Sequence, residues 1–225
     1  MSPFWAGRLP YSADGLLHLL RVVLLDHYVR QGVLFPRWLP DLVLGRGYPV
    51  LNFYAPASYY LAEGMRLLGL AYDAALMAAF SVLVLAAGAG MYLLAGQLFG
   101  PRRRLAALLA GVAYMYAPYF LVNVFVRGAL AEAAAQALLP WIFWTTWRLM
   151  DDAEPARWVV PAAFSLGALA LTHNITLLLL PPFWAGFVAV LWWRGGRQPA
   201  RLAWAGAGGA GALLLSAFFV VPLVL

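Results

Sequence analysis

The chain has 225 residues, of which 64% are hydrophobic and 11% are charged, and its mean hydropathy is +0.80. Soluble domains average roughly 45–50% apolar and about 25% charged residues, so this composition excludes a soluble globular protein and a nucleic-acid-binding tail. The net charge of +6 comes from fifteen arginines scattered between apolar runs, without any lysine. Because cysteine is absent, a disulfide framework and a thiolate metal site are also excluded. We therefore expect the lipid bilayer to be the solvent for most of the chain.

Two unlike segments follow one another along the sequence. Residues 1–70 are apolar and aromatic but contain Arg, Asp and His throughout, which we interpret as an outer first loop with interfacial helices. In residues 71–225 apolar stretches alternate with short polar breaks, which predicts an all-α polytopic membrane protein with a bundle of about six transmembrane helices. Because the chain stops inside an apolar stretch, we expect it to be the front portion of a longer protein.

The first three apolar stretches have clear boundaries. Residues 72–99 would span about 40 Å as a helix and end at a Gly-Pro stop. Residues 105–122 contain Pro118, which should kink or end that helix. The third stretch covers residues 129–150 and precedes an acidic loop at residues 151–157.

The fourth stretch, residues 158–193, is too long for a single crossing. A polar interruption at residues 172–174 predicts two helices joined at His173. After a polar break at residues 194–201, the final apolar stretch covers residues 202–225.

Arginine predicts the orientation, because short cytoplasmic loops collect positive charge. Loops 101–104, 148–157 and 194–201 hold three, two and three arginines, so we place them inside. Residues 1–70, 123–128 and 172–174 then lie outside, together with all three histidines. Ionisable groups near membrane depth are costly and are candidates for function, so the outer face is where we expect a site.

The first candidate site begins at Asp14. His18 and Arg21 follow at i+4 and i+7, so a helix would carry a carboxylate, an imidazole and a guanidinium on one stripe. The surrounding leucines predict an amphipathic helix on the outer leaflet. Asp14 would serve as a general base or orient an acceptor, with His18 and Arg21 near an anionic substrate. The alternative is a surface helix with a capping aspartate and a solvated polar stripe, and Asp26 and Arg30 would pair on another face.

Residues 32–56 are rich in turn residues and aromatics. Aromatic rings stack on sugar faces, and they also populate the headgroup belt of membrane proteins, which is the commoner explanation. Neither a P-loop nor a dinucleotide-binding pattern is present in this segment.

The second candidate site is the predicted outer helix start at Arg127 and Glu132. An arginine binds phosphate bidentately, and a helix N-terminus assists anion binding. The alternative is a structural Arg–acid pair that ties this corner to the first loop.

The third candidate site comprises His173 and Asn174 at the predicted helix junction. Both are candidates for substrate binding, although a single histidine is more often structural. Asp14, His18 and His173 are also residue types that bind a divalent metal, but no spacing motif supports such a site, and the cofactor is unassigned.

Together these segments resemble bacterial GT-C glycosyltransferases, and most nearly the 6-pyruvoyl-tetrahydropterin synthase-related membrane-domain family. The resemblance rests on residues 14–21, 35–40, 47–54, 127–132 and 172–174. It implies a GT-C-like helix bundle in the bacterial inner membrane, with an active site on the outer side. It also implies an inverting enzyme that transfers a sugar from a polyprenyl-phosphate donor.

The resemblance carries residue roles with it. Asp14 would be the catalytic carboxylate, while Arg21, Arg127 and His173 would contact the donor phosphate. The remaining candidates for substrate binding are His18, Glu132 and Asn174. Expected partners are the lipid-linked donor and membrane lipids, and nucleic acid is excluded.

Two other function classes fit parts of the sequence. A transporter or lipid-carrier flippase would use broken helices, but it predicts charges near the bilayer centre and an inverted repeat. The charges gather instead at one predicted face, which favours the enzyme. A non-catalytic scaffold is the third alternative. The sugar, the acceptor and the oligomeric state are not specified by the sequence.

Overall fold

The computed structural model describes residues 12–224, so residues 1–11 of the expected first loop lie outside the described part. The protein is an all-α membrane protein, 81% helical and without strands among the described residues. Its helices are α1 (Gly15–Arg30), α2 (Leu42–Gly45), α3 (Val50–Phe53), α4 (Ala57–Leu67), α5 (Tyr72–Phe99), α6 (Arg104–Met115), α7 (Pro118–Leu121), α8 (Leu130–Asp151), α9 (Ala156–Ala170), α10 (Asn174–Arg194) and α11 (Pro199–Val224). A π-helical turn, Val122–Arg127, connects α7 to α8.

Within the described residues, three helices are long and apolar enough to cross a membrane: α5, α10 and the part of α11 up to Pro222. A fourth candidate is a broken span, in which the segments Pro101–Met115 and Pro118–Arg127 meet at an angle of 43°. Helices α8 and α9 do not meet the same criterion of length and composition. The expected count of about six crossings therefore stays a prediction.

The predicted helix boundaries are largely confirmed. Helix α5 covers the same residues as the first predicted stretch. The chain breaks before Pro118, because proline lacks the amide hydrogen that would continue the helix. The long fourth stretch divides into α9 and α10, with His173 as the residue that caps the second helix.

Small residues allow two helix pairs to approach closely, as the alanine- and glycine-rich runs predict. A Cβ atom at Gly111 of α6 would lie 2.7 Å from the carbonyl oxygen of Gly88 in α5. A Cβ atom at Gly211 of α11 would lie 2.8 Å from the Cβ of Ala163 in α9. Without side chains at these glycines, the backbone of α6 packs against the backbone of α5, and the backbone of α11 packs against the methyl group of Ala163 in α9.

Helix α1 turns its polar stripe inward. His18 and Asp26 are 3% and 2% exposed, whereas Leu16 is 77% exposed. The alternative of a solvated polar stripe is therefore wrong for His18 and Arg21, which both bond to Tyr59 of α4, whereas Asp26 on another face bonds to Tyr72 of α5. The exposed leucines form the opposite, apolar face.

The segment after α1 docks on the helix bundle through backbone contacts. The amide of Ala57 donates to the carbonyl of Leu171 over 2.7 Å, and Arg37 donates to the carbonyl of Phe218 over 2.7 Å. These bonds hold the first loop over one end of α9 and against α11. The loop is thereby placed beside the helix junction that contains His173.

Candidate functional site

Helix α1 brings His18 and Arg21 to the same atom. The phenolic oxygen of Tyr59, on α4, lies 2.7 Å from Nδ1 of His18 and 2.7 Å from Nη1 of Arg21. Tyr59 is fully buried, so this three-residue contact is shielded from solvent. The one-face spacing of His18 and Arg21 was predicted from the sequence, but their common partner was not.

His18 is a neutral imidazole at neutral pH. Burial and the charge of Arg21 together lower the pKa of His18 to about 4, against the opposing charge of Asp14. A histidine in this state donates from one ring nitrogen and accepts at the other. It contributes hydrogen bonding to the site rather than a positive charge.

Arg21 connects the first candidate site to the third. Its guanidinium carbon lies 4.4 Å from the ring centroid of Tyr54, a cation–π contact. Tyr54 in turn lines a pocket of about 180 Å³ together with His173 and Asn174. One tyrosine ring thus lies between the arginine of α1 and the junction of α9 with α10.

The second candidate site is a compact ion pair with polar supports. Arg127 Nη1 donates to Oε2 of Glu132 over 2.6 Å and to Oδ1 of Asn123 over 2.7 Å. The Tyr119 hydroxyl donates to the other carboxylate oxygen of Glu132. The amide of Asn123, which is fully buried, also donates to Gln136 over 3.0 Å. Arg127 keeps 41% of its side chain exposed, so part of the guanidinium is open to a ligand.

The start of α1 is bound directly to this corner. The backbone amide of Asp14 donates to the carbonyl of Arg127 over 2.8 Å. Gly128 makes the close approach possible, because it adopts a φ of +67° and a Cβ there would lie 2.5 Å from Oγ of Ser12. The expected tie between this corner and the first loop is therefore present, but it is a backbone hydrogen bond; the Arg127–Glu132 ion pair lies within the corner itself.

Among the described residues, the carboxylate of Asp14 makes no hydrogen bond or ion pair that stabilises the fold. The residue is the N-cap of α1, but its side chain makes no capping hydrogen bond. It is half-buried, and its carboxylate has no hydrogen-bond or ion-pair partner among the described residues. Two other half-buried acids, Glu132 and Asp152, are ion-paired, so an uncommitted carboxylate beside Arg127 suits a reacting or substrate-binding role.

The third candidate site has a structural role as well. Nδ1 of His173 accepts from the hydroxyl and the backbone amide of Thr176, so the imidazole caps α10. The amide of Asn174 donates to the carbonyl of Phe53 over 2.8 Å, while its own carbonyl oxygen is buried without a partner. Burial lowers the pKa of His173, with Glu132 raising it and Arg127 lowering it.

The structure thus brings the predicted residues into one neighbourhood by different kinds of contact. Asp14 is joined to Arg127 by a backbone bond, and the charges of Glu132 and Arg127 reach His173. No single pocket among those described is lined by Asp14, Arg127 and His173 together. Within residues 12–224, no group of three or more acidic or histidine side chains is placed to hold a metal ion.

A second polar cluster, unassigned by the sequence, lies at the other end of α1. Asp26 accepts from Arg30 over 2.8 Å and from the Tyr72 hydroxyl over 2.7 Å. Glu63 of α4 is equally buried, and no described residue donates a hydrogen bond to either of its carboxylate oxygens. Asp26 and Arg30 also line a pocket of about 620 Å³. The i, i+4 spacing predicted the Asp26–Arg30 pair, but nothing in the sequence singled out Glu63.

Comparison with known proteins identifies a family. The model of a 6-pyruvoyl-tetrahydropterin synthase related domain, described as a membrane protein, matches residues 51–225. A protein of Lactococcus lactis subsp. cremoris (strain MG1363), described as uncharacterized, is 21% identical over 227 residues. The match covers 99% of this chain and 37% of that relative, so the chain spans little more than a third of the relative's length. No solved structure matches the chain.

Proposed function

The chain belongs to the 6-pyruvoyl-tetrahydropterin synthase-related family of membrane proteins, and we propose that it is part of a glycosyltransferase. In this proposal the enzyme moves a sugar from a polyprenyl-phosphate donor to an acceptor on the outer face of the bacterial inner membrane. The transfer inverts the anomeric centre. GT-C membership, the donor and the side of the membrane are all parts of the proposal.

The observation that carries the proposal is the free carboxylate of Asp14 beside a set of anion-binding donors. Asp14 is bonded through its backbone to Arg127, whose guanidinium is partly exposed. On α1, His18 and Arg21 form a second group of donors one and two turns further along. An inverting transferase needs one base and a stabilised phosphate leaving group, and this arrangement supplies both types of residue.

Each step of the proposed reaction has a residue assigned to it. Asp14 removes the proton of the acceptor hydroxyl, whose oxygen attacks the anomeric carbon. The bond from that carbon to the phosphate oxygen breaks, and the polyprenyl phosphate leaves with the electron pair. Arg21 and Arg127 stabilise the negative charge that grows on the leaving phosphate.

Asp14→Asn tests the proposal in the full-length protein. The amide keeps the size and the N-cap position but is not a base, so transfer of radiolabelled sugar from a polyprenyl-phosphate donor panel should fall by at least about 100-fold. Asp73→Asn is the matched control, because Asp73 is, like Asp14, a half-buried acid at the start of a helix. If Asp14→Asn and Asp73→Asn both transfer sugar at the wild-type rate, the assignment of Asp14 as the base is refuted.

A second candidate function is a lipid-carrier flippase, which the broken span favours. The 43° bend before Pro118 resembles the discontinuous helices that transporters use for substrate binding. A flippase would move a fluorescent polyprenyl-phosphate lipid between leaflets of a vesicle and would leave its glycosidic bond intact. Scoring the same vesicles for lipid movement and for sugar transfer separates the two functions.

A further inference from the structure

The Tyr59 hydroxyl is the meeting point of two side chains that the proposed function assigns to the substrate. It lies 2.7 Å from His18 and 2.7 Å from Arg21, and all of Tyr59 is buried. Its position under α1 is set by α4, whose Ala62 is also buried against the same core. Tyr59 itself lines none of the described pockets, so any effect on a ligand acts through its two neighbours.

Counting hydrogens fixes the direction of both bonds. A guanidinium only donates, so the Tyr59 oxygen accepts from Arg21. The hydroxyl has one proton of its own, and Nδ1 of His18 is the acceptor at hydrogen-bond distance. A neutral imidazole that accepts at Nδ1 carries its hydrogen on Nε2. The opposite tautomer would place two donors on the Tyr59 oxygen and leave the buried hydroxyl proton with the Tyr54 hydroxyl alone, to which Tyr59 makes no hydrogen bond of ordinary length among the described residues.

We propose that Tyr59 is a positioning residue that fixes His18 as an Nε2–H donor and holds Arg21 beside it. Helix α1 then holds two preassembled hydrogen-bond donors where the proposed function places an anionic oxygen; Arg21 is half-buried and His18 is 3% exposed. The Tyr54 ring, 4.4 Å from the guanidinium carbon, restrains Arg21 from a second direction. The identification of the anion as a polyprenyl phosphate rests on the proposed function.

This assignment gives His18 and Asp14, both on or next to α1, different roles. With Nδ1 occupied and the hydrogen on Nε2, His18 is a donor and does not accept a proton from the acceptor hydroxyl. Asp14 is then the residue at the start of α1 whose side chain is free to act as the base. Preorganised donors cost little reorganisation when charge develops on a leaving phosphate, which is the physical advantage of the arrangement.

The tautomer is measurable without any activity. The chain has three histidines, so ring-¹⁵N spectra of the protein in detergent micelles are simple, and His18→Gln assigns the His18 signals. We expect His18 to show an unprotonated Nδ1 and a protonated Nε2 across pH 6–8. In Tyr59→Phe the tautomers should mix, whereas Tyr60→Phe, which removes a hydroxyl bonded to the Leu34 carbonyl, should leave His18 unchanged.

A binding experiment tests the consequence for an anion. Farnesyl phosphate is the probe, and farnesol is its uncharged counterpart. Loss of alignment of charge-assisted donors predicts that Tyr59→Phe binds farnesyl phosphate at least about tenfold more weakly, with farnesol and Tyr60→Phe unaffected. Equal binding by Tyr59→Phe and the wild type would overturn the positioning role.

The two proposals fail in different ways. A wild-type His18 protonated on Nδ1 would overturn the role of Tyr59 whatever the protein's activity. If Tyr59→Phe fails to fold, the wild-type tautomer still decides this point. A wild type with the expected tautomer that binds no farnesyl phosphate would contradict the proposed donor and leave the hydrogen-bond assignment intact.

Discussion

Glu63 should make the protein less stable as the pH rises through neutrality. The side chain is 2% exposed, and no described residue donates a hydrogen bond to either carboxylate oxygen. Burial, together with the charge of Asp26 and a hydrogen bond to it, raises the pKa of Glu63 from 4.5 to about 7, against the opposing charges of Arg30 and Arg66. Replacement by glutamine keeps the shape but removes the ionisation.

The magnitude follows from proton linkage. Between pH 4.5 and about pH 7 the folded protein holds a proton on Glu63 that the unfolded chain releases. The free energy of unfolding therefore falls as the pH rises through this window, and the loss is complete above the folded-state pKa. A shift of this size corresponds to about 3 kcal/mol. Asp26 has the opposite sign, because Arg30 and Tyr72 lower its pKa against the effect of burial, so its contribution is lost only on acidification below pH 4.

Unfolding in detergent micelles at pH 5, 6, 7 and 8 tests this reasoning. At pH 5 we expect Glu63→Gln and the wild type to agree within about 1 kcal/mol, and at pH 8 the variant should be more stable by up to about 3 kcal/mol. Glu154→Gln is the control, because Glu154 has a side chain that is 77% exposed and should show no such change. A difference between Glu63→Gln and wild type that is the same at pH 5 and pH 8 would refute the argument.

Three further predictions concern the corners of the candidate site. Gly128→Ala should lower the free energy of unfolding by more than about 2 kcal/mol, because it combines left-handed strain with a clash against Ser12; Gly32→Ala, with a φ of +87° and open space, should cost only the strain of about 1 kcal/mol. His173→Asn should retain most of the thermal stability that His173→Ala loses, since asparagine also caps helices. Equal melting temperatures of His173→Asn and His173→Ala would contradict the capping role. Arg127→Lys should reduce binding of farnesyl phosphate in a titration, because the guanidinium bonds Glu132 and Asn123 through Nη1 alone and keeps further N–H donors for a phosphate, which an ammonium making the same bonds lacks; unchanged affinity would place the phosphate elsewhere.

The helix boundaries were predictable because they depend on local chemistry. A Gly-Pro pair ends α5, and a proline begins α7 after the break. The polar triplet around His173 divides a stretch that is longer than a membrane is thick. Each of these signals acts within a few residues, so the sequence alone contains it.

The partners of the site residues were not predictable, because they depend on packing between distant segments. Tyr59 and Tyr60 are neighbours of the same type, and only the packing of α4 decides that Tyr59 faces His18. Glu63 lies on the same short helix, and its proximity to Asp26 requires the contact between α4 and α1. Helical spacing predicted that His18 and Arg21 share a face, but it did not predict that this face is buried.

The direction in which α1 faces also concerns how a substrate arrives. Leu16, Leu17 and Leu20 are exposed on one side, while His18 is buried on the other. In a bilayer, such leucines enter the acyl region and fix the depth of the helix at the level of the lipid phosphates. Under the proposed function, a lipid-linked substrate would then reach the donors of α1 by diffusing sideways within its own leaflet, and its phosphate would not have to leave the headgroup plane. The search for that substrate would be two-dimensional, set by the surface density of the lipid rather than by its concentration in water.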